Sequence, residues 1–296
     1  VSTNSPISSE ALLEGRKKIT TKSFRHKKNS GDPITMLTAY DYPTALIMDR
    51  VGIDSILIGD SLGMVVLGYE NTLPVTMEEM LHHCRAVARG AHYALLIGDM
   101  PFMSYQVSIE DAVRNAGRFL QEAGMEAVKL EGGRERIDAI RAIIGAGIPV
   151  MGHLGLTPQS VNLLGGFRAQ GKTASAAKRL YEDALLLQDA GCFSLVLESV
   201  PDRLAELVSQ KLEIPTIGIG AGNGCDGQVL VTHDLLGLFD RFTPKFVRKY
   251  ADFYTEMERA FDAYRIDVET GNFPASEHTV GMPEEEWQEL LEEVRS

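Results

Sequence analysis

Short apolar runs rich in Ile, Val and Leu alternate along most of the chain with longer segments whose apolar positions recur every three or four residues. The runs "ITMLTAYD" (34–41), "SILIGD" (55–60), "YALLIGDM" (93–100), "AVKLEG" (127–132), "PVMGHLG" (149–155), "SLVLESV" (194–200) and "PTIGIGAG" (215–222) read as buried strands. "GQVLVTHD" (227–234) supplies an eighth, weaker one. Between them lie helical patterns with recognisable starts. "YPTALIMDRVG" (42–52) carries Pro43 in its first turn, and Asp41 just ahead of it is read as the cap. Thr76 and Glu79 form a capping box before "MEEMLHHCRAVARG" (77–90). Ser108 caps a segment that is apolar at 109, 112, 113, 116, 119, 120 and 123. "RERIDAIRAIIGAG" (134–147), "SAAKRLYEDALLLQDAG" (175–191) and "PDRLAELVSQKL" (201–212) continue the series. Strictly alternating strands and helices predict an α/β fold with a parallel sheet and right-handed crossovers. A closed (β/α)8 TIM barrel is its natural solution, with an open doubly wound sheet as the alternative.

The pattern has an internal rhythm. Gly52, Gly90, Gly124, Gly147 and Gly191 each sit where a helix would end, suited to a left-handed cap. A strand follows each, and it runs out into Asp60, Asp99, Glu131, His153 or Glu198. All five therefore lie at C-terminal strand ends, the face on which barrels build active sites. Side-chain alternation also sets Lys129 and Glu131 on the strand face opposite Val128 and Leu130. If Val128 and Leu130 meet the helices, the two charges point into the barrel mouth. Each residue has a plainer reading. Lys129 and Glu131 could be a structural ion pair, and His153 a satisfied interior histidine. Glu198 could cap the helix near Pro201, for which Ser199 is the better candidate. "GIGAG" (218–222) could cradle phosphate or serve tight packing.

Composition narrows the function class. A net charge of −12 argues against nucleic acid or an anionic membrane as partner. No run approaches the ~18 apolar residues of a membrane span, and the N-terminus lacks a signal-peptide pattern. Cys84, Cys192 and Cys225 are odd in number and widely spaced, which suits a reducing, cytoplasmic setting. The basic stretch 15–28 reads as a solvated arm. The expected organisation is an N-terminal arm (1–30), a barrel (31–262) and a C-terminal extension (263–296). In that extension Trp287, Leu290, Leu291 and Val294 form one helical stripe, predicted to dock on the barrel or a neighbouring subunit.

There is no HExxH, no cysteine cluster and no His pair at zinc spacing. Carboxylates on separate strands offer hard oxygen ligands, which suit Mg²⁺ with open positions for water and substrate oxygens. Such a site predicts Mg²⁺-dependent enolate chemistry on a 2-oxo acid.

Beyond this residue chemistry, "TAYDY", "GDSLGM", "TLPVT", "DMPFMSY", "VKLEGG", "GHLGLTPQSVN", "LVLESVP" and "IPTIGIGAG..DGQVLV" occur in order between about Lys18 and His278. In these motifs the chain closely resembles the ketopantoate hydroxymethyltransferase family. The resemblance implies a barrel of the phosphoenolpyruvate/pyruvate type. It implies transfer of a one-carbon unit from 5,10-methylenetetrahydrofolate to 3-methyl-2-oxobutanoate, giving 2-dehydropantoate and tetrahydrofolate in pantothenate biosynthesis. The family's Mg²⁺ ligands fall on Asp60 and Asp99, with Glu131 nearby. Its substrate contacts fall on Ser61, Lys129 and His153, and its proton acceptor on Glu198. A homo-oligomer, commonly a decamer, is the implied assembly. Two rivals stand beside it: a Mg²⁺-dependent carbon–carbon lyase of the isocitrate or 2-methylisocitrate type, and a barrel that binds the metal–oxo-acid complex without turning it over. The lyases carry a cysteine before Gly-His, where this chain has Met151.

Overall fold

A computed structural model describes residues 15–166 and 169–295; residues 1–14 of the predicted arm lie outside the described residues. Eight strands close into a parallel barrel in chain order: β1 (Ile34–Thr38), β2 (Ser55–Ile58), β3 (Leu95–Asp99), β4 (Ala127–Lys129), β5 (Val150–Gly155), β6 (Ser194–Glu198), β7 (Thr216–Ile219) and β8 (Gly227–Leu230). The helices are α1 (Thr21–Ser30), α2 (Tyr42–Val51), α3 (Leu62–Val65), α4 (Met77–Gly90), α5 (Ile109–Ala123), α6 (Ile137–Gly145), α7 (Val161–Leu164), α8 (Ala174–Asp189), α9 (Asp202–Lys211), α10 (Thr232–Leu235), α11 (Phe253–Thr270) and α12 (Glu284–Glu293). The barrel reading, the eighth strand included, is borne out. Among the described residues no helix is long and apolar enough to cross a membrane.

Alternation along the strands sorts the core into two parts. Met36, Leu57, Leu95, Ile97, Ala127, Met151, Val196, Ile217 and Val229 point inward and fill the barrel interior. Their neighbours Ile56, Leu96, Val128, Leu130, Val150, Leu195 and Leu197 point outward into a continuous layer with the helices. The caps read from sequence form as expected on α2, α4 and α5: Asp41 Oδ1 accepts from Thr44 N at 2.8 Å, and Thr76 and Ser108 cap their helices.

Several expectations need correction. The basic stretch is no solvated arm. Within α1, Phe24 is fully buried in the barrel interior and meets Phe193 edge-on. Around it Lys18, Lys27 and Lys28 pair with Glu126, Asp54 and Asp226. One apolar residue among cations was enough to turn a charge run into a plug. Gly90 is the last residue of α4, and Ala91, not a left-handed glycine, is its cap. A side chain at 90 would lie 2.5 Å from the Tyr42 carbonyl, so glycine there serves close packing against α2. Gly52, Gly124, Gly147 and Gly191 do adopt positive φ. Ser199 caps nothing: α9 starts from Pro201 without a side-chain cap, and Ser199 sits at φ 49°. The "GIGAG" turn packs against Phe246 and Asp202, the plainer of its two readings. The predicted final helix forms as α12, yet none of its residues is buried, so it does not dock on its own barrel. α11, which spans the expected boundary at residue 262, likewise buries no side chain.

Candidate active site

Asp60, Ser61, Asp99, Lys129, Glu131, His153 and Glu198 all line one cavity of about 330 Å³ at the C-terminal ends of the strands. Every site residue read from the sequence is therefore brought to one place. Parallel register explains how. Asp99 of β3 pairs directly with Lys129 of β4, and Gly155 of β5 with Glu198 of β6. Lys129 Nζ accordingly lies 2.8 Å from Asp99 Oδ1 and 3.9 Å from Glu131 Oε1. His153 Nδ1 lies 3.5 Å from Glu131 Oε1, and its Nε2 lies 3.2 Å from Glu198 Oε2. At Gly155, φ is 99° and an added Cβ would lie 2.1 Å from the Glu198 carbonyl. Glycine there lets β5 approach the strand end that carries Glu198.

The electrostatics are crowded. Burial, then the charges of Asp99 and Glu131, push the Asp60 carboxyl well above the usual carboxylate range. Asp99 is also raised, chiefly by burial, with Lys129 pulling the other way. Burial opposes the charge on Lys129, but Asp99, Glu131 and Asp60 outweigh it and hold the ammonium cationic. Burial and Lys129 likewise oppose a charge on His153, and the carboxylates of Glu131 and Glu198 on its two ring nitrogens overcome them, raising it to about 9. Glu131, despite its burial, is held low by His153 and Lys129.

Among the described residues, no three His, Cys, Asp or Glu side chains group closely enough to hold a metal ion by themselves. Mg²⁺ does not ask for such a cage. It is commonly bound through one or two carboxylates, with water and substrate oxygens completing the shell. Asp60, Asp99 and Glu131 are each at most 4% exposed and raise or oppose one another's charge, with Lys129 as the nearest lysine. A hard, oxygen-only donor set with surplus negative charge fits a divalent cation.

Sequence reasoning missed the residues that brace this cluster. Gln159, in the short 3₁₀ helix Pro158–Ser160 that follows β5, donates from Nε2 to Asp60 Oδ2 and to the Met100 carbonyl, both at 2.9 Å. Its backbone N–H donates to Glu131 Oε2 at 3.0 Å, and its Oε1 accepts from Tyr105 OH at 2.6 Å. Tyr40 OH and Ser61 Oγ share a hydrogen bond of 2.8 Å. Only the polarity of "LTPQS" in an otherwise apolar neighbourhood hinted at Gln159; its partners, Gln106 Nε2 among them at 3.3 Å, are far away in sequence. The opposite wall of the cavity, formed by Ile219, Val229, Val231, Asp234, Phe239, Phe242 and Phe246, was also missed.

The family model described as ketopantoate hydroxymethyltransferase matches residues 18–276. The 3-methyl-2-oxobutanoate hydroxymethyltransferase of Syntrophus aciditrophicus (strain SB) is 59% identical over 263 residues, covering 89% of this chain and 97% of the relative. The enzyme of the same name from Syntrophobacter fumaroxidans (strain DSM 10017 / MPOB) is 61% identical over 257 residues, covering 87% and 91%. Among solved structures, phosphonopyruvate hydrolase in complex with oxalate and Mg²⁺ superposes with a TM-score of 0.58 at 12% identity, covering 87% of this chain and 92% of that one. A 2,3-dimethylmalate lyase of the PEP mutase/isocitrate lyase superfamily superposes with 0.54 at 14% identity, covering 84% and 86%. At such identities these structures show a shared barrel fold and nothing finer.

Proposed function

Since the chain belongs to the ketopantoate hydroxymethyltransferase family, matched over residues 18–276, we propose that it transfers a hydroxymethyl group from 5,10-methylenetetrahydrofolate to 3-methyl-2-oxobutanoate. The products are 2-dehydropantoate and tetrahydrofolate. The observation that carries this reading is the gathering of Asp60, Asp99, Lys129, Glu131, His153 and Glu198 in one cavity, an acid cluster for a cation beside a separate carboxylate for proton transfer.

Asp60 and Asp99 would hold Mg²⁺, with Glu131 close by. When bound, the cation supplies electron withdrawal from the oxo acid's carboxylate and keto oxygens, which acidifies the neighbouring C–H. Ser61, set by its bond to Tyr40, contacts the substrate carboxylate. Lys129, kept cationic by its acidic neighbours, favours negative charge developing on the keto oxygen. His153 donates to substrate oxygens. Glu198, with a side chain 16% exposed at the cavity edge, takes the C3 proton. The carbon nucleophile then forms a bond to the folate methylene carbon, whose bonds to the two folate nitrogens break. Water supplies the hydroxyl oxygen, and the nitrogens regain their hydrogen as tetrahydrofolate leaves.

Incubation with Mg²⁺, methylenetetrahydrofolate and 3-methyl-2-oxobutanoate is expected to yield 2-dehydropantoate; no product above the enzyme-free control overturns the reading. The lyase reading has only distant fold relatives, and Met151 stands where those enzymes carry cysteine. The same proposal places the chain in the cytoplasm as a homo-oligomer. Supporting association, α11 carries Phe261 and Tyr264 at 65% and 61% exposure.

A further inference from the structure

The cavity extends past the charged cluster to a wall that a small oxo acid does not need. Asp234, on α10, lines that wall and is 8% exposed. Among the described residues its carboxylate makes no hydrogen bond or ion pair, and burial raises its pKa to about 6, with Lys249 pulling it back. Around it the same cavity is lined by Val229, Val231, Phe239, Phe242 and Phe246. Phe242 is 65% exposed, its ring open to a partner, while Phe246, 38% exposed, lies with one side against the turn at Gly220.

A carboxylate that lines a cavity without a donor from the protein has both oxygens free to accept from a ligand. Two parallel N–H groups on a planar ring match its two oxygens best. The 2-amino-4-oxopyrimidine edge of a pterin presents such a pair, the ring N–H beside the exocyclic amine. Its flat face suits aromatic walls.

We propose that Asp234 is the pterin-recognising carboxylate of this chain, accepting from the ring N–H and the 2-amino group of the folate, with Phe242 and Phe246 against the ring face. This rests on methylenetetrahydrofolate being the co-substrate. Asp234 thereby selects the one-carbon donor, while the acids and Lys129 across the cavity select the acceptor.

The test is calorimetric binding of tetrahydrofolate and of its 2-desamino analogue, with Mg²⁺ present, to wild type, Asp234→Ala and Phe242→Ala. Wild type is expected to prefer the 2-amino ligand by roughly 10- to 100-fold, the worth of hydrogen bonds to a charged group. Asp234→Ala is expected to lose tetrahydrofolate affinity by a similar factor and to stop discriminating, while binding 3-methyl-2-oxobutanoate as wild type does. Phe242→Ala, at an exposed position that carries no folding cost, is expected to weaken both ligands equally, by roughly 2- to 10-fold. Unchanged affinity or retained discrimination in Asp234→Ala overturns the assignment alone. Should that variant fail to fold, equal affinity of wild type for the two ligands overturns it just as directly. Wild type that binds the oxo acid but no tetrahydrofolate removes the co-substrate reading and the assignment together.

Discussion

Acidic side chains gather at both ends of the barrel, and they are treated in opposite ways. At the N-terminal end four carboxylates each accept two or three hydrogen bonds from neighbouring elements. Asp49 accepts from the backbone N–H groups of His92, Tyr93 and Ala94 at 2.8–3.0 Å. Asp54 accepts from Thr35 N, Thr35 Oγ1 and Lys27 Nζ. Asp226 repeats the device with Thr216 N, Thr216 Oγ1 and Lys28 Nζ, and Glu126 takes Leu96 N and Lys18 Nζ. At the C-terminal end Asp60, Asp99 and Glu131 instead face one another, and burial with mutual repulsion raises Asp60 and Asp99. A strand-end acid is thus ambiguous by position. Acids with enough donors hold strands in register; acids left in one another's field are poised for a ligand.

The contrast breaks most sharply at Glu198. We expect Glu198→Gln to fold as wild type and to bind Mg²⁺ and the oxo acid. It should lose hydroxymethyl transfer by about 10²–10⁴-fold, the scale of a general base. Exchange of the substrate C3 proton in D₂O, followed by NMR, should stop with it. Exchange at the wild-type rate makes Lys129 the base to test next. The matching change at the other end is Asp49→Ala, which strands three N–H groups, that of Ala94 fully buried and those of His92 and Tyr93 partly so. Unfolding in urea should show a loss of about 3 kcal/mol or more, with substrate KM unchanged in the protein that remains folded.

Asp60→Asn sharpens the comparison further because the two losses should separate. The amide keeps an acceptor for Gln159 but removes a charge that the fold opposes. An acid whose folded pKa is raised destabilises the protein increasingly as pH rises from its unfolded toward its folded value. At neutral pH and without metal, the Asn variant should therefore melt no lower than wild type. Its Mg²⁺ affinity, by calorimetry with oxo acid present, should fall by at least about tenfold. A variant that melts lower with unchanged Mg²⁺ affinity would place Asp60 among the structural acids.

The two ends were not equally legible in the sequence. Period-two alternation and glycine-to-acid spacing disclosed the barrel and brought Asp60, Asp99, Glu131, His153 and Glu198 to one face. Those signals are local, and strand ends preserve them. Gln159 was not readable, since its partners Asp60, Met100, Tyr105 and Glu131 are joined only by closure of the barrel. Phe24 was hidden for a related reason: one apolar residue within a basic run has no period to announce it. Ser199 and Gly90 were misread because the same residue types serve caps, strained turns and close contacts. Which of these applies depends on the neighbouring element, not on adjacent residues.

The smallest effect tests the N-terminal end itself. Lys28 Nζ lies 2.7 Å from Asp226 Oδ2, with side chains 12% and 20% exposed, and also donates to the Ser209 carbonyl at 2.8 Å. If saturation by the barrel's own donors is what settles these acids, the lysine is dispensable. Lys28→Met keeps the aliphatic stem and leaves Asp226 bonded to Thr216 N at 2.7 Å and Thr216 Oγ1 at 3.1 Å. The carboxylate then loses one donor of three without being orphaned. A loss of about 1 kcal/mol or less is expected in urea unfolding, the ordinary worth of a partly exposed ion pair. A double-mutant cycle with Asp226→Asn should return a coupling of the same size. A loss of about 3 kcal/mol for the single change would mean that the lysines of the N-terminal segment, rather than the strand-end donors, neutralise this face. The N-terminal face would then rest on cations supplied by the chain itself, as Lys129 is supplied among the acids of the other face.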